Sequence, residues 1–466
     1  MGVVTQLKKF VEPKSVALFG ISRYPREGGF NILQHLLNYG YEGRIYPVHP
    51  EADEILGVKA YHRVADVPED VDLAVINLPR SLVPGIARDC VEKGISAIII
   101  ATQGFADAND VKGEQLQKEI DEIISGKARV LGPNTFGTAN AFINFSSSFA
   151  ELKMKRMPVG LICQTGVLYV GSPDLSLLGK GIDLGNGCDL DFADALEYFE
   201  HDDDVRVIAL HTEGMRDAGS FLSVAKRVAH KKPMVVLKTG RSGLAAQAAQ
   251  SHTGSLVGKD EVWEAALKQC GAIRVSDIDE LGDTVRILSA LPLMKGRRIG
   301  VLTYTGGFAV ASIDASQRFG LEIAELSPGT LEQLNAISPP WFTVANPVDI
   351  WPATILSRRP MLKVFRQALE ILFSDLAVDA VLCICGIWED AVCNKFCQYT
   401  ERLAQSYPHK PLVWYIYGPL ANEAKSASEE TGKTGVFSSP DRAIGALAHL
   451  ADYSQFLGEF QAPEGV

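Results

Sequence analysis

Short apolar runs that end in glycine or a small polar residue recur along this chain, and amphipathic stretches separate them. No other feature limits the fold as strongly. A short run rich in Val, Ile and Leu is a strand buried on both faces, and such strands belong to parallel sheets covered by helices. Parallel neighbours need crossovers, which are right-handed. In the first third, SVALFG (15–20), RIYPVHP (44–50), LAVINLP (73–79), SAIIIAT (96–102) and ARVLGPN (128–134) read as strands. GGFNILQHLLNYG (28–40) and residues 82–93 and 114–125 read as the helices between them. This alternation predicts a doubly wound, Rossmann-like domain over residues 1–145.

The polar stretch SSSFAELKMKRMP (146–158) crosses into a second cycle. Its strands are expected at 159–163, 205–211, 234–238 and 272–275, with helices near 167–178, 191–200, 219–229 and 260–270. LMKGRRIG (293–300) opens a third, with strands IGVLTY (299–304), AVLCIC (380–385) and PLVWYIY (411–417) and a helix after Thr305-Gly306-Gly307. Three α/β units follow, at 1–145, 151–292 and 296–460, which suits 466 residues at about 150 per domain.

Charge and hydropathy narrow the function. A net charge of −11 argues against broad binding to nucleic acid or an anionic membrane. No run approaches the ~18 apolar residues that span a bilayer. MGVVTQLKKFVEPKSVALFG lacks the apolar centre of a signal peptide, so a cytoplasmic protein is expected. Cys383, Cys385, Cys393 and Cys397 form the single cysteine cluster, in VLCICGIWEDAVCNKFC. The spacing is not that of a zinc site. Two cysteines in a buried strand and two on one face of the next helix account for it, and no metal site is expected.

Candidate chemistry sits at strand ends. ALFGISRYPREGGF follows the first strand where doubly wound folds bind pyrophosphate. It lacks the dinucleotide glycine spacing, since the later glycines are displaced to Gly28 and Gly29. The second strand ends in PVHPE, with His49 between two prolines and Glu51 beyond, which disfavours NAD. Ser22, Arg23 and Arg26 offer a hydroxyl and two guanidiniums to another phosphate-bearing nucleotide ligand, or form a solvated basic turn. Gln164-Thr165-Gly166 and Thr305-Gly306-Gly307 each carry a strand into a helix through bare backbone N–H groups, which favours an anion.

His252 lies in AAQAAQSHTGSLVGKDEVW (245–263), on a loop of small residues without a second ligand at metal spacing. Glu213, in ALHTEGMRDAG (209–219), follows a buried strand. Its carboxylate either bonds an imidazole, caps the next helix or meets Arg216.

These motifs together resemble the α subunit of NDP-forming acyl-CoA synthetases, the ADP-forming acetyl-CoA synthetase branch of the succinyl-CoA synthetase superfamily. SVALFGISRYP, YEGRIYPVHPEADEILGVKAY, LGPNTFG, QTGVL, LHTEG, KTGRS, SHTGSLVG, TGGFAVASIDA and ANPVDI occur in the family's order over nearly the whole chain. The resemblance implies a CoA-binding Rossmann-like domain followed by two flavodoxin-like domains. It implies that His252 carries a phosphoryl group, that Glu213 orients it, and that the turns at Thr165-Gly166 and Gly306-Gly307 cradle phosphate. Gly20, Ser22 and Arg23 would hold CoA phosphate, and Asn134 would lie near its reactive end.

The implied reaction takes acyl-CoA and phosphate to an acyl phosphate, then passes the phosphoryl group through His252 to ADP. Mg and ADP or ATP would be bound by an ATP-grasp β subunit, in an α2β2 assembly. Some positions depart from the pattern. Thr135 replaces a cysteine, His49-Pro50-Glu51 replaces a basic pattern, Thr165 replaces a serine, and Tyr304 to Ala309 reads YTGGFA for NAGGPG. A CoA-binding protein without catalysis is the alternative these departures keep open.

Overall fold

The computed structural model describes residues 2–24, 31–108, 110–170, 179–245, 259–355, 360–430 and 434–458. Its contacts divide the chain into two units, Met1–Leu281 and Gly282–Val466.

The first unit holds two large sheets and a two-stranded antiparallel ribbon that pairs Glu54–Ile55 with Val58–Lys59. The first contains β1 (Ser15–Phe19), β2 (Arg44–Val48), β3 (Leu73–Ile76), β4 (Ala97–Ile100) and β5 (Arg129–Leu131). Their spatial order is β2-β1-β3-β4-β5 and every pairing is parallel. The apolar runs of β1, β3 and β4 are buried along their whole length, as covered parallel strands must be. Helix Ile32–Tyr39 starts at Asn31, whose side chain accepts the Gln34 N–H, and stops at Gly40. Gly40 takes φ +72°, the left-handed conformation that ends a helix at glycine.

The second sheet contains β6 (Thr138–Asn140), β7 (Phe145–Ser146), β8 (Val159–Cys163), β9 (Lys180–Asp183), β10 (Val207–Thr212), β11 (Met234–Lys238) and β12 (Ile273–Val275). Its order is β12-β11-β10-β8-β9-β6-β7. Five strands are parallel, and β6 and β7 extend the edge in antiparallel fashion. Residues 138–146, at the seam between the first two expected units, therefore belong to the second sheet. Helix Phe192–Glu200 opens with a capping box between Asp191 and Asp194.

Ion pairs, the Lys180–Asp202 pair among them buried, tie the two sheets of this unit together. Lys180, on β9, reaches Asp202 at 2.6 Å, Asp204 at 2.9 Å and Glu12 of the first helix at 3.4 Å. Arg129, on β5, meets Asp189 at 2.9 Å and Asp194 at 2.8 Å. An isolated lysine at Lys180, fully enclosed, would carry a large desolvation cost, so the carboxylates are a condition of that site.

The second unit is built on β13 (Arg298–Thr303), β14 (Glu322–Ile323), β15 (Val348–Asp349), β16 (Ala380–Gly386), β17 (Leu412–Tyr417) and β18 (Gly435–Phe437). The order is β14-β13-β16-β17-β18, with β15 also beside β13, and all pairings are parallel. Cys383 and Cys385 are buried in β16, and burial pushes the Cys383 thiol well above its usual pKa. Among the described residues, no group of three or more His, Cys, Asp or Glu side chains is placed to hold a metal. None of the described helices is long and apolar enough to cross a membrane.

Candidate functional site

In open parallel sheets, ligands collect beyond the carboxyl ends of the strands. At that edge of the first sheet, Gly20 follows β1 with φ +78°. A Cβ there would stand 1.9 Å from the Asn77 carbonyl, so glycine lets the β1 and β3 ends approach. Ser22 accepts the Tyr24 N–H through Oγ at 3.3 Å. Arg23 donates through Nη2 to Glu51 at 2.6 Å, and its Nε lies 3.4 Å from His49 Nε2. A departure from the expected pattern thus meets a residue expected to hold phosphate: the acid beyond β2 holds the Arg23 guanidinium. Arg26, Gly28 and Gly29 lie outside the described residues.

A cleft of about 550 Å³ opens beside this turn, lined by Asn77, Thr102, Gln103, Asn134, Phe136 and Phe149 among others. Asn134 takes φ +61°, which asparagine tolerates better than most residues. Its Nδ2 donates to Asn186 of the second sheet's edge at 3.3 Å. Thr135, in the place of the family's cysteine, is buried. Its hydroxyl accepts the Gly137 N–H at 2.8 Å and donates to the Asp183 carbonyl. The Phe136 and Phe149 rings are 4.5 Å apart.

The second sheet brings two candidate groups together. β8 and β10 are neighbours, so the turns that follow them share one edge. Gln164 Oε1 accepts the N–H of Glu213 at 2.8 Å and of Gly214 at 3.3 Å, and the Thr212 hydroxyl at 3.2 Å. Gly166 is forced by packing, because a Cβ there would stand 1.9 Å from the Phe136 ring. The expected helix at 167–178 is described only over Val167–Val170.

Glu213 is half-buried immediately after β10. The next helix, Ala218–Ala229, is capped by Asp217, whose side chain accepts the Ser220 N–H. Arg216 donates to the Cys188 carbonyl at 2.9 Å. The cap belongs to Asp217, and Arg216 is engaged elsewhere. His252 lies outside the described residues, so its expected pairing with Glu213 does too.

Lys238 ends β11, buried, beneath this edge. Its Nζ donates to the Glu213 carbonyl at 3.0 Å and to the Thr239 carbonyl, and lies 5.4 Å from the Trp263 ring centroid. Burial lowers its pKa. The lysine stands in KTGRS, but its role as a tie between the Glu213 turn and the strand leading toward His252 depends on strand order. His211, two residues before Glu213, is held near pKa 4 by burial and then by Lys238, so it is neutral at pH 7.

In the second unit, Thr305 caps helix Gly306–Phe319, accepting the Phe308 N–H at 3.2 Å. Gly306 and Gly307 are exposed in the first turn. Asp349, at the end of β15, approaches it, with Oδ2 3.8 Å from a Cβ built on Gly306. The two glycine turns fall in different units.

The first domain thus carries a cleft at the carboxyl edge of its sheet, and the second carries two strand-end turns joined by Gln164. Residues 14–141 match the CoA binding domain, and residues 157–288 match the succinyl-CoA ligase like flavodoxin domain. The chain is 36% identical over 438 residues to acetate–CoA ligase [ADP-forming] II subunit alpha of Pyrococcus furiosus, covering 91% of this chain and 93% of that protein. It is 37% identical over 350 residues to the acetate–CoA ligase [ADP-forming] of Methanocaldococcus jannaschii, matching 74% of this chain and spanning about half of that protein, 49%. Its structure matches the dinucleotide forming acetyl-coenzyme A synthetase 1 of Ca. Korarchaeum cryptofilum with TM-score 0.87 and 29% identity, covering 97% of this chain and 98% of that one. The chain belongs to the ADP-forming acetate–CoA ligase family and corresponds to its α subunit.

Proposed function

We propose that this chain carries the thioester and phosphohistidine steps of an ADP-forming acyl-CoA synthetase. The observation that supports this most is the Gln164 bridge, which joins the Thr165-Gly166 turn to Glu213 through two backbone N–H groups. A phosphoryl group held at that turn lies beside the acid that would orient the nucleophile. Residues 1–145 hold CoA, with Gly20, Ser22 and Arg23 toward its phosphates and Asn134 toward its sulfur. Phosphate oxygen attacks the thioester carbonyl, the C–S bond breaks, and the thiolate leaves as CoA after taking a proton. The neutral His252 imidazole then attacks phosphorus, the acyl carboxylate departs, and the phosphohistidine delivers its phosphoryl group to ADP. Mg and the nucleotide are held by an ATP-grasp partner, in an α2β2 assembly. Such transfers depend on positioning and charge stabilisation, which aimed backbone N–H groups supply.

Glu213→Gln tests the orienting role of the carboxylate that the bridge places beside the turn. It keeps shape and the backbone contacts while removing the charge that favours an imidazolium-like transition state. Phosphorylation of His252 is expected to slow by ~10²–10⁴-fold with the fold intact. Rapid-quench labelling would measure it, and an unchanged rate would assign Glu213 a structural role alone.

Calorimetry with CoA, dephospho-CoA and NAD tests the first domain. CoA is expected to bind, and NAD to bind more weakly or not at all. An NAD site wants a free carboxylate for the ribose hydroxyls, and the Glu51 carboxylate is paired with Arg23. NAD binding tighter than CoA would overturn this domain's role.

A further inference from the structure

Asp183 is a buried carboxylate that none of the steps above uses. It ends β9, opposite Cys163 in the register with β8, and Gln164-Thr165-Gly166 follows Cys163 directly. From there it contacts the loop that borders the cleft at three points and braces its own turn at a fourth. Oδ2 accepts the Phe136 N–H at 2.7 Å. Its backbone N–H donates to the Gly137 carbonyl at 2.9 Å, and its carbonyl accepts the Thr135 hydroxyl. Oδ1 accepts the Gly185 N–H at 3.2 Å, beside the Asn134 carbonyl that leaves no room for a Cβ on Gly185. Across the same junction the Phe136 ring occupies the space a side chain at position 166 would need.

We propose that Asp183 is a positioning residue that sets the register between the Asn134–Gly137 loop and the Gln164–Gly166 turn, and so between thioester and phosphate. The inference rests on the proposed function and adds a residue to it. Positioning at this scale matters, because a 1 Å misplacement of reacting groups costs roughly 10²-fold in rate. A hydrophobic contact could hold the two segments together, but it would not fix the Phe136 and Gly185 N–H groups in direction.

The choice of a carboxylate has a visible cost. Burial pushes its pKa up to about 6, against the lowering effect of the Phe136 and Gly185 N–H groups. The titratable groups facing it are the Cys163 thiol and the Tyr169 phenol, both neutral because burial raises them. A folded pKa above the unfolded value means that this group favours the folded state at low pH. That contribution is lost as pH rises through about 6. The charged form, which holds the two N–H groups best, is thus the less stable form of the fold.

Stability and rate should therefore separate. The full chain with acetyl-CoA and phosphate would be followed by release of the CoA thiol, alongside CoA calorimetry and thermal melting. Wild-type release is expected to fall as pH drops through about 6. Asp183→Asn is expected to lower kcat at pH 7.5, to lose that pH dependence, to leave CoA affinity within about twofold, and to melt no lower than wild type. Asp183→Ala should lower kcat roughly 10²-fold. Variants that keep the wild-type kcat and pH profile, or that lose CoA affinity and melting temperature in step with rate, would overturn the positioning role. Wild-type protein that binds CoA but releases no thiol would overturn the proposed chemistry, and this role with it.

Discussion

His252→Ala is expected to leave no acid-labile phosphate on the chain. The wild-type chain, incubated with its ATP-grasp partner, Mg²⁺ and labelled ATP, is expected to take up label that survives base and is lost in acid. That behaviour belongs to a P–N bond and separates it from phosphoesters of Ser251, Thr253 or Ser255 on the same loop. The effect should be complete because a nucleophile on the reaction path has no substitute. A neutral imidazole attacks phosphorus readily and leaves readily, whereas the neighbouring hydroxyls need an added base to do either. The small residues around His252 fit the same role, since a loop that carries a phosphoryl group between two sites gains from few side chains to clear. An acid-stable label, or full labelling of His252→Ala, would place the phosphoryl group elsewhere. Melting curves of the variant should match wild type, because an Ala within AAQAAQSHTGS removes no large apolar contact predicted from sequence.

The strands that sequence reveals are those buried on both faces. SVALFG, LAVINLP and SAIIIAT carry enough consecutive apolar residues for period and length to agree, and β1, β3 and β4 lie within them. β9 escapes this reading because KGID opens on a lysine and ends on an aspartate. Lys180 is tolerated there only because Asp202, Asp204 and Glu12 converge on it from distant parts of the chain. β6, β7 and β18 are too short to carry a pattern. Glycine positions were legible as turns, but their reasons were not. Gly20 and Gly166 answer to Asn77 and Phe136, which pairing and packing bring near. The same holds for side chains at the site. Gln164 was legible as part of a motif, yet its bridge to Glu213 exists because β8 and β10 are adjacent. Asp183 had no signal at all, since its partners in the Asn134–Gly137 loop lie more than forty residues earlier on a different element.

Purified alone, this chain is expected not to convert ATP, acid and CoA to acyl-CoA, and an ATP-grasp chain is expected to restore the reaction. The first sheet carries the cleft at its carboxyl edge, and the second carries the Gln164–Glu213 pair. The unit over 282–466 carries the Gly306-Gly307 helix start. The sequence holds no G-x-x-x-x-G-K-[ST] loop for ATP phosphates. The match to the Methanocaldococcus relative spans 49% of that protein's length. Within the proposed scheme, phosphohistidine on this chain is a dead end until an acceptor nucleotide is presented by a second protein domain. The thioester half of the reaction does not need that acceptor. Thiol release from acyl-CoA and phosphate should therefore persist in the isolated chain when net synthesis does not. Synthesis at enzymatic rates by the isolated chain would reveal a nucleotide site within these residues. Failure of both half-reactions, with CoA still bound and an ATP-grasp chain present, would mean that the Arg23–Glu51 pair and the other departures mark a CoA-binding protein without catalysis.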